Sequence, residues 1–546
     1  MKVLLMITRR TFLSAVSAGT AGLALDAAAP PKRPNIILIL ADDMGFSDLG
    51  CYGSEIETPN LDRLASQGIR FTQFYNCARC CPSRASLLTG LYPHQAGIGH
   101  MVDRTGPAPG YVNDLSPRSQ TIAEVLRASG YQTGMAGKWH VTPVNQSKHN
   151  WPLQRGFERY YGIIHGAADY FNPVSLTHDN ESIRAEGDYY FTDALGDYAV
   201  RYLDEFRKSD KPFFLYTAFT APHWPLHARP DDIRKYEKRY LSGWDALRHD
   251  RHEKQLRMKL LQRRWELSPR DSTVAEWKDA ANKEWQARRM AVYAAQVDRL
   301  DQNIGRIFTK LREIGQEDNT LVMFMSDNGG CAEEVAPGWK GLHIPRTTRD
   351  GRPVGVGNLP ANMPGPEDTY QSYGVPWANG SNTPMRLYKH WVHEGGISTP
   401  LIARWPARFR HPQTFAHEPG HFVDIMATCV DASGAKYPER VADRDIQPMQ
   451  GKSLLPLIEG SVKKYDRPIY WEHEGNRAMR HGPWKAVRKF PGEWELYNID
   501  DDRTELHNRA QDRAPLLAGM TADWDKWAQA AGVLPWEEAN KKMVAR

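Results

Sequence analysis

Long hydrophobic runs are missing from this chain of 546 residues. No apolar stretch approaches the ~20 residues that span a bilayer, which excludes an integral membrane protein. Cysteine is scarce, at six (Cys51, Cys77, Cys80, Cys81, Cys331 and Cys429), too few for a disulfide scaffold in a chain this long. Charge of one sign barely predominates. Lys and Arg number 70 against 65 Asp and Glu, a formal +5. The first 29 residues hold Lys2, Arg9, Arg10 and Asp26, a net +2, so the remainder carries 5 − 2 = +3. That balance gives no footing for nucleic-acid binding. Internal repeats are also absent. What is there is an ordinary globular mixture, 41% hydrophobic, 10% aromatic and 25% charged, which excludes collagen-like, coiled-coil and wholly disordered chains. The length allows roughly three to four domains, or one large α/β domain with an appendage.

Arg9 and Arg10, then Phe12-Leu13 and a mildly apolar, glycine-spotted stretch to Leu25, resemble a twin-arginine export signal. Ala27-Ala28-Ala29 offers a small-residue cleavage site, so residues 1–29 are predicted to be a removable leader. The expected partner is the twin-arginine export machinery and the expected location periplasmic or extracellular, with no stable membrane insertion. Such a route moves folded proteins, so modification or metal loading can precede transport. The alternatives are a short anchor or a fraying tail.

Beyond the leader, Asn35 to Ala41 is a continuous apolar run of strand length, as in a parallel sheet buried on both faces. Thr58-Pro59 opens a helix that Gly68 closes, and Ile69 to Tyr75 alternates like a strand. Thr121-Ile-Ala-Glu124 is a capping-box pattern, followed by a short strand over Tyr131 to Ala136. Phe213 to Phe219 reads as another buried strand. Met290, Tyr293, Val297, Leu300, Ile304, Ile307 and Leu311 recur at helical spacing, feeding the strand Leu321 to Met325. The fold class is therefore α/β, a large, mostly parallel sheet flanked by helices. The mixed-sign stretch Arg229 to Arg289 is expected to be a solvated helical excursion, and Pro345 to Thr383 a long loop. Near Gly451 the pattern changes to short strands (Pro468–Trp471, Trp484–Arg488, Trp494–Tyr497) and a helix over Ala514 to Ala531. We divide the chain into a catalytic domain, 34–450, and a small carboxy-terminal α+β domain, 451–546.

Two strand ends carry acids in the same layout: Asp42-Asp43 after the first strand, and Asp327-Asn328 after Met325-Ser326. In open α/β sheets the functional crevice lies at the carboxyl ends of the strands. Carboxylates crowded there repel one another unless a cation sits among them, and all-oxygen donors favour Ca²⁺ or Mg²⁺ over zinc. A strand-end acid pair alone is weak evidence, since such residues also cap turns. The decisive segment is Cys80-Cys81-Pro82-Ser83-Arg84-Ala85-Ser86-Leu87-Leu88-Thr89-Gly90. Pro82 can start a helix with residue 80 at its amino end, where free amide hydrogens favour an anion. Cys77-Ala-Arg-Cys80 is also a C-x-x-C, which leaves a redox pair or half of a zinc site as competing readings.

That eleven-residue segment resembles the signature of the type I sulfatases, in the alkaline phosphatase superfamily, and the resemblance extends over nearly the whole chain after the leader. It implies an alkaline-phosphatase-like large mixed sheet with a smaller C-terminal domain. It further implies that Cys80 is oxidised to formylglycine by a formylglycine-generating enzyme, the hydrated aldehyde being the nucleophile. Asp42, Asp43, Asp327 and Asn328 match the family's calcium ligands, with residue 80 completing the set. Arg84 matches the arginine that steadies the hydrate and the metal cluster. Gly137-Lys-Trp-His140 resembles the family segment in which the lysine, here Lys138, contacts sulfate and the histidine, here His140, hydrogen-bonds the hydrate. Ala221-Pro-His223 matches the segment whose histidine protonates the leaving oxygen. Asn382 to Ile397 resembles the segment of the second sulfate-binding lysine, which assigns that role to Lys389, with Lys340 as the fallback. Glu495 to Ile499 and Thr504-Glu-Leu506 resemble the small domain of bacterial arylsulfatases.

The reaction implied is hydrolysis of an aryl or carbohydrate sulfate monoester. Once sulfate has been transferred to the hydrate, its remaining hydroxyl can lose a proton and expel sulfate, which a serine could not do. A phosphonate monoester or phosphodiester hydrolase of the same superfamily is the nearest alternative, and a non-catalytic exported binding protein the other. Trp139, Trp224, Trp339 and Trp377 are candidates to wall a pocket, or to pack the core.

Overall fold

The protein is described here by a computed structural model covering residues 33–144, 147–262, 264–409 and 415–546; the expected leader, 1–29, lies outside the described residues. The apolar run after Asn35 becomes the central strand, Asn35–Ala41, with every residue buried. It pairs in parallel with Thr320–Ser326 on one side and Phe213–Ala218 on the other. Gln132–Lys138 and Arg159–Ile163 extend the parallel run. Antiparallel strands continue the sheet at both sides, Leu401–Arg404 against Thr320–Ser326 and Leu176–His178 against Arg159–Ile163. The result is a mixed sheet of ten strands.

Alternating side chains of the central strand feed two cores. Ile37 and Ile39 face the helices Phe191–Phe206 and Lys283–Glu313. Ile36, Leu38 and Leu40 face Cys80–Thr89, Ile122–Ala128 and Val423–Ser433. The capping box forms as expected: Thr121 Oγ1 accepts from the Glu124 amide at 3.1 Å, and Glu124 Oε2 accepts from the Thr121 amide at 2.7 Å.

Three expectations are corrected. Ile69 to Tyr75 is two short strands, Ile69–Phe71 and Phe74–Tyr75, which pair with different partners. The stretch Arg229 to Arg289 is helical in part, as expected, but not solvated throughout. Its helix Gly243–Arg257 buries Arg251, which binds Asp48 at 2.7 Å and Glu55 at 2.9 Å. Many of its other charges, among them Asp231, Arg234, Lys238 and Arg257, are exposed as expected. Pro345 to Thr383 contains a helix, Gly374–Ser381.

The carboxy-terminal part is a four-stranded antiparallel sheet, Ile469–His473, Asn476–His481, Trp484–Arg488 and Trp494–Asn498, the second of which the sequence reading overlooked. One face packs on the helix Ala514–Ala531 through Met479, Ala486 and Leu496. The other carries Trp471, Ala478 and Val487 against Tyr75, Ala78 and Ile397. Among the described residues no helix is long and apolar enough to cross a membrane.

Candidate active site

Strand register assembles the acids. Ala41 pairs with Ser326, so Asp42-Asp43 and Asp327-Asn328 leave the sheet side by side. The Asp43 amide donates to Asp327 Oδ1 at 3.2 Å, and Asn328 Nδ2 donates to Asp43 Oδ1 at 2.6 Å. Lys138 ends the strand Gln132–Lys138 two places from the central one, with Gly137 opposite Ala218. A Cβ on Gly137 would lie 1.9 Å from the Ala218 carbonyl oxygen, so this approach requires glycine. His223 sits in the turn that follows Phe213–Ala218. Asp43 and His140 hold left-handed backbone, φ 65° and 54°, a cost of about 1 kcal/mol or more each that rigid surroundings must sustain.

Residue 80 is the first residue of the helix Cys80–Thr89, behind an extended Arg79. Its side chain meets the positive end of the helix dipole. Cys80 is buried and borders a cavity. The Cys81 thiol lies 3.1 Å from His140 Nε2, with Cys80 in the same cluster. The hydrogen bond to Cys81, aided by Lys138 and His140, outweighs burial and holds the Cys80 thiol well below its usual range. All six cysteines are free thiols, and Cys77 donates to Ser86 Oγ at 3.3 Å rather than pairing with Cys80. That disfavours the redox reading.

Three cations converge on the acids. Fully buried Arg84 meets Asp327 Oδ2 at 2.8 Å and Asp42 Oδ2 at 3.5 Å, and donates to the Lys138 carbonyl at 2.9 Å. Lys138 Nζ lies 2.6 Å from Asp42 Oδ2. Lys389 Nζ lies 3.0 Å from Asp43 and 3.5 Å from His223 Nε2. Lys340 is exposed at the cavity rim, so the structure brings Lys389, and not the fallback, to residue 80.

Burial and the Asp42 charge push Asp327 up to about 8. Burial would raise Asp43 too, but Lys389 and His223 hold it down. Burial lowers His223 to about 4 and His140 to about 3, so both rings are neutral near pH 7. His223 Nδ1 is 2.6 Å from the Trp224 carbonyl, which fixes the proton there and turns Nε2 toward Lys389 and Asp43. Asp42 Oδ1 and Asn328 Oδ1 are buried without hydrogen-bond partners. Orphaned oxygens beside a carboxyl that resists ionisation suit a hard divalent cation.

The sequence profile of the family Sulfatase matches residues 34–435, and that of N-sulphoglucosamine sulphohydrolase, C-terminal, matches 386–521. The chain belongs to the sulfatase family. It is a sulfuric ester hydrolase. An uncharacterized sulfatase of Schizosaccharomyces pombe is 33% identical, over 94% of this chain and 96% of its own. The arylsulfatase of Klebsiella aerogenes is 32% identical, over 83% and 97%. The solved structure of Ps i-CgsB in complex with k-i-k-neocarrahexaose is 27% identical, with a TM-score of 0.65 and coverage of 91% and 93%.

In this sulfatase residue 80 lines a cavity of about 650 Å³, together with Lys389, His140 and His223. Trp224 and Trp339 are in the wall, 5.4 Å apart. Trp139 and Trp377 are not: Trp139 bonds to the Asn150 carbonyl and Trp377 packs on Trp244. Glu333 and Arg79, joined at 3.0 Å, were not picked out from the sequence. Glu333 also accepts from Trp224 Nε1 at 3.0 Å and lies 3.8 Å from Lys389. Arg79 had a signal, its place next to Cys80. Glu333 had only its distance of six residues from Asp327.

Proposed function

We propose that this sulfatase hydrolyses sulfate monoesters of aryl or carbohydrate alcohols, with residue 80 as a formylglycine made from Cys80. A calcium ion would be held by Asp42, Asp43, Asp327, Asn328 and residue 80. The convergence of Arg84, Lys138, His223 and Lys389 on the acids, with His140 beside Cys80 and two orphaned oxygens among them, carries this reading. Bound calcium supplies fixed positive charge to the sulfate oxygens, and the formylglycine hydrate supplies the attacking oxygen; Cys80 Sγ occupies its place in the structure. Lys138 and Lys389 bind the sulfate oxygens where charge accumulates in the transition state. Arg84 fixes Asp327 and the Lys138 backbone. His140 hydrogen-bonds residue 80. His223 Nε2 delivers a proton to the departing oxygen, and a sulfate bound beside it adds the negative charge that raises its proton affinity. The Trp224 and Trp339 wall offers faces for an aryl ring or a sugar, in keeping with the names of the Klebsiella relative and of the oligosaccharide-bound Ps i-CgsB.

The catalytic domain is taken as 34–450 and the small domain as 451–546. A formylglycine-generating enzyme would act first, and twin-arginine export would then carry the folded chain to the periplasm or beyond. Two measurements test the activity together: the mass of the peptide carrying residue 80, and rates on matched aryl sulfate, phosphate monoester and phosphonate substrates. Formylglycine in the active fraction and a preference for sulfate are expected. Full activity with unmodified cysteine sinks the nucleophile, and faster turnover of the phosphonate moves the chain to the phosphoryl alternative. Cell fractionation and amino-terminal sequencing test export, with a mature start near Pro30 expected.

A further inference from the structure

A second group of metal-ligating side chains lies apart from the acidic cluster, where three separated segments meet. His473 closes the strand Ile469–His473, and Glu474 is in the hairpin turn after it. His390 follows Lys389 directly, and its amide donates to the Ala78 carbonyl at 2.7 Å. His100 comes from the loop after the Cys80–Thr89 helix. Ligand atoms of His390, His473 and Glu474 all lie within 4.8 Å of one another.

The distances have the scale of a coordination shell. Glu474 Oε2 is 3.1 Å from His390 Nδ1, and Oε1 is 3.6 Å from His473 Nε2. Donors 2.0–2.1 Å from a tetrahedral zinc ion are separated by about 3.3 Å. An independent observation points to a missing ligand. His473 is completely buried, yet neither of its ring nitrogens has a hydrogen-bond partner. Such a side chain costs ~1–3 kcal/mol of desolvation unless something binds it. Its Nε2 faces the carboxylate, where a cation would sit. His100 Nε2 contacts Glu474 Oε1 at 2.8 Å, an outer partner that orients the carboxylate. An ion can enter, because the His390 and Glu474 side chains are 27% and 20% exposed.

We propose that His390, His473 and Glu474 form a second metal site, for a borderline transition-metal ion such as Zn²⁺, with water in the fourth position. Two imidazoles and one carboxylate suit zinc and are poor for calcium, which takes oxygen donors. None of its three ligands is among the residues assigned to the chemistry at residue 80, though His390 adjoins Lys389 and Arg79 lies between Glu474 and Cys80. The bound ion clamps the carboxy-terminal hairpin to the segment that carries Lys389 and to the backbone just before Cys80. Metal binding therefore stabilises the contact between the small antiparallel sheet and the large one.

The test uses the purified full chain saturated with calcium, so that the acidic cluster is occupied, titrated with zinc chloride by calorimetry. Metal content is then read by elemental mass spectrometry. One equivalent of zinc is expected at micromolar concentration or below, with a rise in melting temperature. His390→Ala and His473→Gln should each weaken zinc binding by ~100-fold, and His100→Ala by ~10-fold or more. Cobalt substitution should give a tetrahedral visible spectrum without sulfur-to-metal charge transfer. No zinc binding below ~1 mM overturns the proposal. So does binding that survives His390→Ala but is lost in Cys81→Ala, which would put zinc on Cys80, Cys81 and His140. The partly exposed His390 keeps the test decisive if the His473 variant fails to fold.

Discussion

Replacing Lys389 by alanine gives the sharpest test of the site's electrostatics. The ammonium is nearly fully buried, 3.0 Å from Asp43 and 3.8 Å from Glu333, and 3.5 Å from the proposed acid His223. At an effective dielectric constant of about 20, a unit charge pair at 4 Å is worth ~4 kcal/mol. The two carboxylates hold the charge in place before substrate arrives, so it does not reorganise as charge develops on the sulfate. Removing one such preorganised donor costs about 2.7–4 kcal/mol, a 10²- to 10³-fold loss. The loss should appear mainly in kcat. Asp43 would be left without its main counter-charge, so stability should fall by ~3 kcal/mol, unless calcium replaces the ammonium. Lys340→Ala is the internal control. Lys340 is exposed on the rim, so its loss should cost under ~1 kcal/mol, about fivefold, and act through KM and substrate preference. Steady-state kinetics on an aryl sulfate, with thermal melts in saturating calcium, separate the two effects. A folded Lys389→Ala enzyme within tenfold of the parent, or equal losses from the two lysines, would refute the reasoning.

Asp327→Ala removes both the partner of Arg84 and a proposed calcium ligand; calcium titration should show at least a tenfold weaker affinity, with activity lost in parallel. Without calcium, Asp327 by itself should make stability fall as pH rises from about 4 to about 8, against the opposite slope that the lowered His223 and His140 impose below about 6.5. Asp327 has a folded pKa of about 8 against an ordinary 3.8, so the native state holds a proton the unfolded chain has released, and stability falls with pH across that window. The difference between the melting curves of the parent and of Asp327→Asn in chelator should show the slope, and saturating calcium should remove it; a flat difference counts against the crowded-carboxylate account. Thr121→Ala breaks the capping box and should cost ~1 kcal/mol in urea unfolding without changing kcat. No measurable change would mean that the Thr121 side chain is dispensable to the cap.

Much of this protein is legible locally. Buried parallel strands advertise themselves as short apolar runs, because both faces are covered, and Asn35–Ala41, Phe213–Ala218 and Thr320–Ser326 all read that way. The capping box at Thr121 is local chemistry, and the segment from Cys80 to Gly90 carries its helix and the proposed nucleophile together. The sequence also placed Asp42-Asp43 and Asp327-Asn328 at strand ends. It did not say that the two ends are neighbours. Only the pairing of Ala41 with Ser326 decides that, and pairing between strands nearly 300 residues apart depends on the whole sheet. Long-range partnership likewise turned Arg251 of Gly243–Arg257 inward, since it finds Asp48 and Glu55 only after folding. The choice of Lys389 over Lys340 needed both family resemblance and tertiary structure: each lysine alone reads as a solvated charge. Glu333, Arg79 and the His390–His473–Glu474 group had no periodicity to reveal them. Their grouping arises from proximity in space, which His390, His473 and Glu474 acquire only when the carboxy-terminal sheet packs against the large one.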